Sequence, residues 1–198
     1  MKLPTVGTAI FDETERYRYV LTRELDRQNK TCLLAVCLNP STATADVNDP
    51  TVRRLMGYTR AWGFGSLTVC NIFAFRGTDP RSLYRVDDPI GDENDEYILQ
   101  QARMHDLVLC GWGNHGCEVK SAHGDFASRG SDVRQLLEAA GVQPMVFGLS
   151  GKLQPLHPLY LANDMPAIPW DSRARERTVA WQESVARRRS RRAKEQAE

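Results

Sequence analysis

A chain of 198 residues with 41% hydrophobic and 26% charged side chains is long enough for one α/β domain with a full core, and its composition excludes a disordered or fibrous protein. The formal net charge of +1 favours neither an acidic nor a basic partner, and no apolar run approaches the roughly 20 residues of a membrane-spanning helix. Met1-Lys2-Leu3-Pro4 lacks the apolar segment of a secretory signal and the five cysteines form no CxxC pair, so the expectation is a cytoplasmic protein, with no membrane partner, whose thiols are free. Zinc at Cys110, His115 and Cys117 would lack a second ligand pair, so no metal is expected.

The first predicted element is a hairpin of residues 8–12 and 16–23, turning at Asp12-Glu13-Thr14-Glu15. Arg16-Tyr17-Arg18-Tyr19 alternates along its second strand, which fits either the decoration of an edge strand or stacking on bases. Leu33-Leu34-Ala35-Val36-Cys37-Leu38 is too short for a helix and stops at Asn39-Pro40-Ser41-Thr42. It reads as a buried strand over 31–38 that delivers Asn39 to its carboxyl end, because Pro40 fixes its own φ and disfavours helix at the residue before it. Asp49-Pro50 supplies the cap and first position of a helix over 50–62, with Val52, Leu55, Met56 and Trp62 inward and Gly63 at its end.

A strand over 66–73 follows, with Asn71 near its end. Burying an amide costs about 1–3 kcal/mol unless it is paired. Asn71 is therefore either a core residue bonded to a neighbouring loop or a side chain reserved for a ligand. Asp79-Pro80 opens a short helical turn, and Pro89 and Gly91 precede a helix over 92–104 capped by Asp92 or a nearby acid. A strand over 106–110 runs into Gly111-Trp112-Gly113-Asn114-His115-Gly116, whose glycines demand tight turns or close backbone approach. This is neither a dinucleotide fingerprint nor a Walker loop. After a polar stretch at 118–130, a helix over 131–140 is stopped by Gly141, and a strand over 143–148 leads to Ser150-Gly151-Lys152 and His157-Pro158. Residues 161–170 are irregular. The tail, helical over 173–196, belongs to a segment 171–198 with nine cationic side chains against five acidic ones, a net +4 that leaves −3 for the rest. Contact with phosphate and a solvated helix both fit it.

This order predicts a single three-layer, doubly wound α/β domain over 1–170 with a mainly parallel four-stranded core sheet, an N-terminal hairpin and a C-terminal basic helix over 171–198. Ligands of such sheets bind beyond the carboxyl ends of the strands. Those ends offer Asn39, Pro40, Ser41 and Thr42, then Asn71, Phe73 and Arg76, then Gly111, Trp112 and Asn114, then Lys152 and His157. The set is polar and mostly neutral, and no Ser-His-acid order with a nucleophile elbow is present. Amides read the donor and acceptor edge of a heterocycle and a histidine stabilises an oxyanion, so a nucleobase or nucleotide is the expected ligand.

Asn39-Pro40-Ser41-Thr42-Ala43, Asn48-Asp49-Pro50-Thr51-Val52-Arg53-Arg54 and Asn71-Ile72-Phe73-Ala74-Phe75-Arg76, with Arg16-Tyr17-Arg18-Tyr19 and Gly111-Trp112-Gly113, resemble a bacterial and phage family of domains of unknown function. Leu38-Asn39-Pro40-Ser41 and His157-Pro158-Leu159 are also distantly similar to two motifs of the uracil-DNA glycosylase superfamily, with Leu159 in place of the usual serine. That second resemblance implies a glycosylase-like hydrolase of a modified or damaged base in DNA, acting on a flipped base and needing no cofactor. It would make Asn39 the residue that positions water, Asn71 the reader of the base edge, and His157 the stabiliser of charge on the leaving base. Lys152, Pro158, Tyr160, Arg187 and Arg188 would contact nucleic acid. An enzyme acting on a free nucleotide or nucleoside, and a binding protein without turnover, remain the alternatives.

Overall fold

Alternating apolar residues set up the first two strands. In a computed structural model that describes residues 6–195, β1 (Val6–Phe11) and β2 (Arg18–Glu24) pair antiparallel with a register shift between Ile10 and Phe11. The Asp12 carboxylate holds the turn between them, accepting from the backbone N–H of Thr14 at 3.1 Å and of Tyr17 at 2.8 Å.

β3 (Cys32–Cys37) pairs parallel with β4 (Ser66–Asn71) on one side and with β5 (Leu107–Gly111) on the other. The two-residue β6 (Met145–Val146) extends the sheet parallel to β5, and β7 (Ile168–Pro169) closes it antiparallel to β6. β2 lies antiparallel to β4, so the hairpin is part of the same sheet. The strand order is β1-β2-β4-β3-β5-β6-β7. The sheet is thus mixed and seven-stranded, and the hairpin expected beside the core is continuous with it. The strand expected over 143–148 shrinks to two residues, ended by a bend at Phe147 and by Gly148 at φ +155°.

The apolar run of β3 is explained by burial on both faces. Leu33, Ala35 and Cys37 pack into one cluster with Val52, Leu55, Met56 and Tyr58 of α1 (Pro50–Ala61). Leu34, Val36 and Leu38 pack into another with Ile98 and Ala102 of α2 (Asn94–Met104) and Val133 and Leu137 of α3 (Arg129–Ala139). Asp49 caps α1 as expected, its Oδ1 accepting from Val52 N–H at 2.8 Å. A nearby acid, Glu93, occupies the cap position of α2 but makes no side-chain cap bond, and the helix starts at Asn94, not at 92. The start of α2 is instead tied to the sheet by buried Asn94, whose Nδ2 donates to the carbonyls of Asn71 at 2.9 Å and Ile72 at 3.1 Å. α4 (Ala174–Glu195) buries Ala174 and Thr178 and lays Trp181 against the α1 side; the last residue of the expected 173–196 helix lies outside the described residues.

One further contact fixes the strand ends. Arg23 of β2 is buried and directs its guanidinium into the loop between β3 and α1. Its Nε donates to Asn48 Oδ1 at 2.7 Å, and Nη2 donates to the carbonyls of Thr44 at 2.5 Å and Val47 at 3.0 Å. Gly7 makes room for it, since a Cβ there would lie 2.4 Å from Arg23 Nη1 and 2.6 Å from Ala45 O. Replacing Arg23 with Met takes the donor from these part-buried acceptors and from Thr22 O, an expected loss of about 2 kcal/mol in urea unfolding. The control Arg27→Met removes an exposed ion pair with Glu24 and should cost no more than about 0.5 kcal/mol.

Candidate functional site

The chain leaves β3 for β4 on one side and later returns to β5 on the other, so the carboxyl end of β3 lies where the winding reverses. Asn39 stands two residues beyond β3 and is half-buried. Its Nδ2 donates to Gly77 O at 2.8 Å and to Pro40 O at 3.2 Å. Gly77 N–H returns a bond to Pro40 O at 2.8 Å, so the turns after β3 and β4 are laced together. With its amide hydrogens engaged, Asn39 offers only Oδ1, an acceptor, to a ligand. Ser41 is half-buried and Thr42 exposed on the same turn.

β4 delivers Asn71, which is fully buried. Arg18, at the start of β2, is 2% exposed and donates from Nη1 to Ala43 O at 3.0 Å and from Nη2 to Asn71 Oδ1 at 3.1 Å. Burial pushes the Arg18 guanidinium down to about 10, with Asp49 the main opposing influence. The oxygen of Asn71 is thereby satisfied inside the protein, by a side chain of β2 and not by the neighbouring loop expected of a core amide. Phe73 points inward with no exposure, edge-on to Phe126. Trp112 is likewise 1% exposed and donates from Nε1 to Gln154 Oε1 at 2.9 Å. Both aromatic side chains serve packing. Arg76 is half-buried, donates from Nη1 to Glu15 O at 2.7 Å, and lies over the Phe11 ring at 4.8 Å.

The glycines after β5 permit close approach of the 155–158 segment. A Cβ at Gly111 would sit 3.1 Å from Pro158 Cδ. Gly113, at φ +72°, donates its N–H to Pro155 O at 2.8 Å, and its missing Cβ would be 3.7 Å from His157 Cβ. Exposed Asn114 accepts from Ser150 Oγ at 2.6 Å. His157 Nδ1 accepts from Leu159 N–H at 3.3 Å. Burial holds the His157 imidazole below its usual value, against a smaller opposing effect of Asp49. A neutral ring that accepts at Nδ1 carries its proton on Nε2, so His157 offers a donor. α1 steadies the segment beyond it: Tyr58 OH donates to Ala162 O at 2.6 Å, and the Arg54 guanidinium donates to Leu161 O and Asn163 Oδ1.

The expected nucleic-acid contacts do not form one surface of free cations. Lys152 is paired with Glu118 at 2.5 Å, and Pro158 is buried. Tyr160 is 85% exposed. Arg187 faces Glu183 at 3.8 Å and Arg188 donates to Ser184 Oγ at 3.5 Å, each within α4. Two surface grooves lie away from the strand ends. One of about 520 Å³ is lined by Arg103, His105, Asp106 and Val142 near the amino-terminal end of β5, and one of about 310 Å³ lies beside Arg53, Gly57 and Asn163.

Sequence reasoning missed Arg18 as an organiser of the site. Its only signal was parity: in the alternating stretch it shares a phase with Val20. Sequence reasoning also missed the cluster in which Tyr84 OH lies 2.9 Å from His115 Nδ1, with Glu118 Oε2 3.9 Å from the same nitrogen. Residues 84, 115 and 118 are too far apart in type and spacing to announce it.

A family model described as a protein of unknown function, DUF1643, matches residues 18–159, and the chain belongs to that family. No curated protein and no solved structure matches the chain. The matched stretch starts at Arg18 and ends two residues past His157, so it contains the strand ends described above and leaves α4 outside.

The buried imidazole has a consequence for stability. The unfolded chain takes up a proton near the ordinary value of 6.5, whereas folded His157 resists it, and His105 behaves the same way. Stability should therefore be complete above that value and fall as pH drops through it. In His157→Gln the decline in urea midpoint between about pH 7 and about pH 5 should be shallower, with His105 sustaining the remainder.

Proposed function

We propose that this member of the DUF1643 family recognises a nucleobase at its strand ends and hydrolyses an N-glycosidic bond, as the likeness of Asn39-Pro40 and His157-Pro158 to the uracil-DNA glycosylase superfamily suggests. The observation that carries this reading is the opposite polarity of two fixed groups. Asn39 presents an acceptor because its Nδ2 is engaged by Gly77 O and Pro40 O. His157 presents a donor because its Nδ1 is engaged by Leu159 N–H.

A water donating a hydrogen to Asn39 Oδ1 turns a lone pair towards the anomeric carbon. The C–N bond breaks and its electrons pass to the base, where His157 Nε2–H donates to the oxygen that gains negative charge. The water's proton ends on solvent or on the released base. A neutral imidazole suits this role, since it stabilises an anion by hydrogen bonding without having to give up its proton. The reading places the site at the carboxyl end of four parallel strands of a doubly wound domain, in a cytoplasmic protein that acts on a modified or damaged base in DNA, phage DNA included.

A second reading, action on a free nucleotide or nucleoside, is favoured by the engagement of Lys152 with Glu118 and of Arg187 and Arg188 within their own helix. Those cations are already partnered, which weakens the case for docking a polymer through them.

The test is base release from duplex and single-stranded DNA carrying uracil, hydroxymethyluracil or other modified bases, read as alkali-labile abasic sites. Asn39→Ala should lower release by about 10²–10⁴-fold with DNA binding retained, and His157→Gln by about 10²–10³-fold. Release from nucleosides but not from DNA would shift the assignment to the second reading. Release unchanged in Asn39→Ala would overturn the role given to Asn39.

A further inference from the structure

Six buried side-chain nitrogen or oxygen atoms among the described residues have no hydrogen-bond partner within the chain, and four of them belong to residues gathered at the exit of β4: Arg18 Nε, Arg76 Nε, Ser82 Oγ and Asn94 Oδ1. Buried polar atoms are almost always satisfied, so a concentration of exceptions calls for an explanation. Asn94 Oδ1 is an acceptor and stands apart; the other three are donors or can donate. Contacts tie their residues together. Arg18 N–H bonds Ala74 O at 2.9 Å and its Nη2 bonds Asn71, while Arg76 N–H bonds Arg16 O at 2.9 Å. Ser82 Oγ would lie 2.3 Å from a Cβ at Gly77, whose carbonyl accepts from Asn39.

Charge at this exit is also without a direct ion pair. Buried Arg129 is paired with Asp95, but neither Arg18 nor Arg76 makes an ion pair among the described residues. The nearby Asp79 is held by Arg81 at 2.9 Å, and Asp49 is engaged in capping α1. Two guanidinium groups without an ion pair thus lie about the exit of β4, and Ser82 Oγ, without a partner, lies with Asn39 Nδ2 around the bare Cα of Gly77.

We propose that the exit of β4 is an anion subsite for the phosphoryl group of a nucleotide. Arg76, at the half-exposed rim, donates to the phosphoryl oxygens, Ser82 Oγ adds a neutral donor, and Arg18 supplies fixed positive charge from behind. The subsite rests on the reading above for the base, which the neighbouring Asn39 and His157 would hold. It adds that the ligand is a phosphate ester rather than a bare base or nucleoside.

Calorimetric titration of the full chain tests this without requiring turnover. The probes are deoxyuridine, deoxyuridine 5′-monophosphate and a short single-stranded oligonucleotide containing one internal deoxyuridine. The monophosphate should bind at least about tenfold more tightly than the nucleoside, as expected for one charge-assisted contact. Arg76→Gln should erase that difference, Arg76→Lys should restore part of it, and Arg103→Gln, at the amino-terminal end of β5, should leave it intact. Ser82→Ala should reduce it a few-fold. An equal gain for the oligonucleotide assigns the phosphate to a polymer, and a gain confined to the monophosphate assigns it to a free nucleotide. Equal affinity for nucleoside and monophosphate, or equal effects of Arg76→Gln and Arg103→Gln, would overturn the subsite. Base release is read separately, so a phosphate preference without release would retain the subsite and reject the reaction, and release without a phosphate preference would do the reverse.

Discussion

The strand ends depend on two guanidinium groups that reach out of β2 into the loop between β3 and α1. That loop carries polar backbone into a partly buried position, where unpaired carbonyls are costly. Arg18 takes Ala43 O, and Arg23 takes Thr44 O, Val47 O and the side chain of Asn48. Because the loop is held from the sheet side, its two ends are fixed as well. One end is Asn39, and the other is Asp49, which starts α1. α1 in turn grips residues 161–163 through Arg54 and Tyr58, and so steadies the segment that follows His157. A single tier of donors in a flanking strand therefore organises both halves of the candidate site.

The two arginines differ in what surrounds them. Arg23 makes bonds from all three guanidinium nitrogens and acts as a structural clamp. Arg18 is as deeply buried but has only two neutral acceptors, and its proton affinity is depressed by desolvation. A structural arginine in this protein need not be left so, as the pairing of Arg129 with Asp95 shows. Positive charge at the exit of β4 is thus held in a buried place, offset at a distance by Asp49 but joined to no carboxylate in an ion pair among the described residues.

Much of the frame was legible in the sequence because local rules and the tertiary structure agree. The apolar run ending in Asn39-Pro40 became β3 and its turn, and Asp49-Pro50 became the start of α1. The glycines after β5 were readable as sites of close approach, which Gly111 and Gly113 prove to be. What was not legible depends on distant partners. β7 consists of two residues that become a strand only by pairing with β6. Asn71 could be read two ways until Arg18 was seen to occupy its oxygen, and Phe73 and Trp112 lay on strand ends yet face the core. α2 starts two residues later than expected and without a side-chain cap bond, and buried Asn94 anchors it to the end of β4. Local capping preference is a weaker constraint than satisfying two buried carbonyls.

The attachment of α1 at both ends has a mechanical meaning. Its first turn grows out of the loop that carries Asn39, and its middle holds the segment that follows His157. Any rigid-body displacement of this helix therefore carries the turn after β3 and the segment that follows His157 together. Their separation is buffered against breathing of the surrounding loops, and opening of the site would be one collective excursion of a helix, not two independent loop motions.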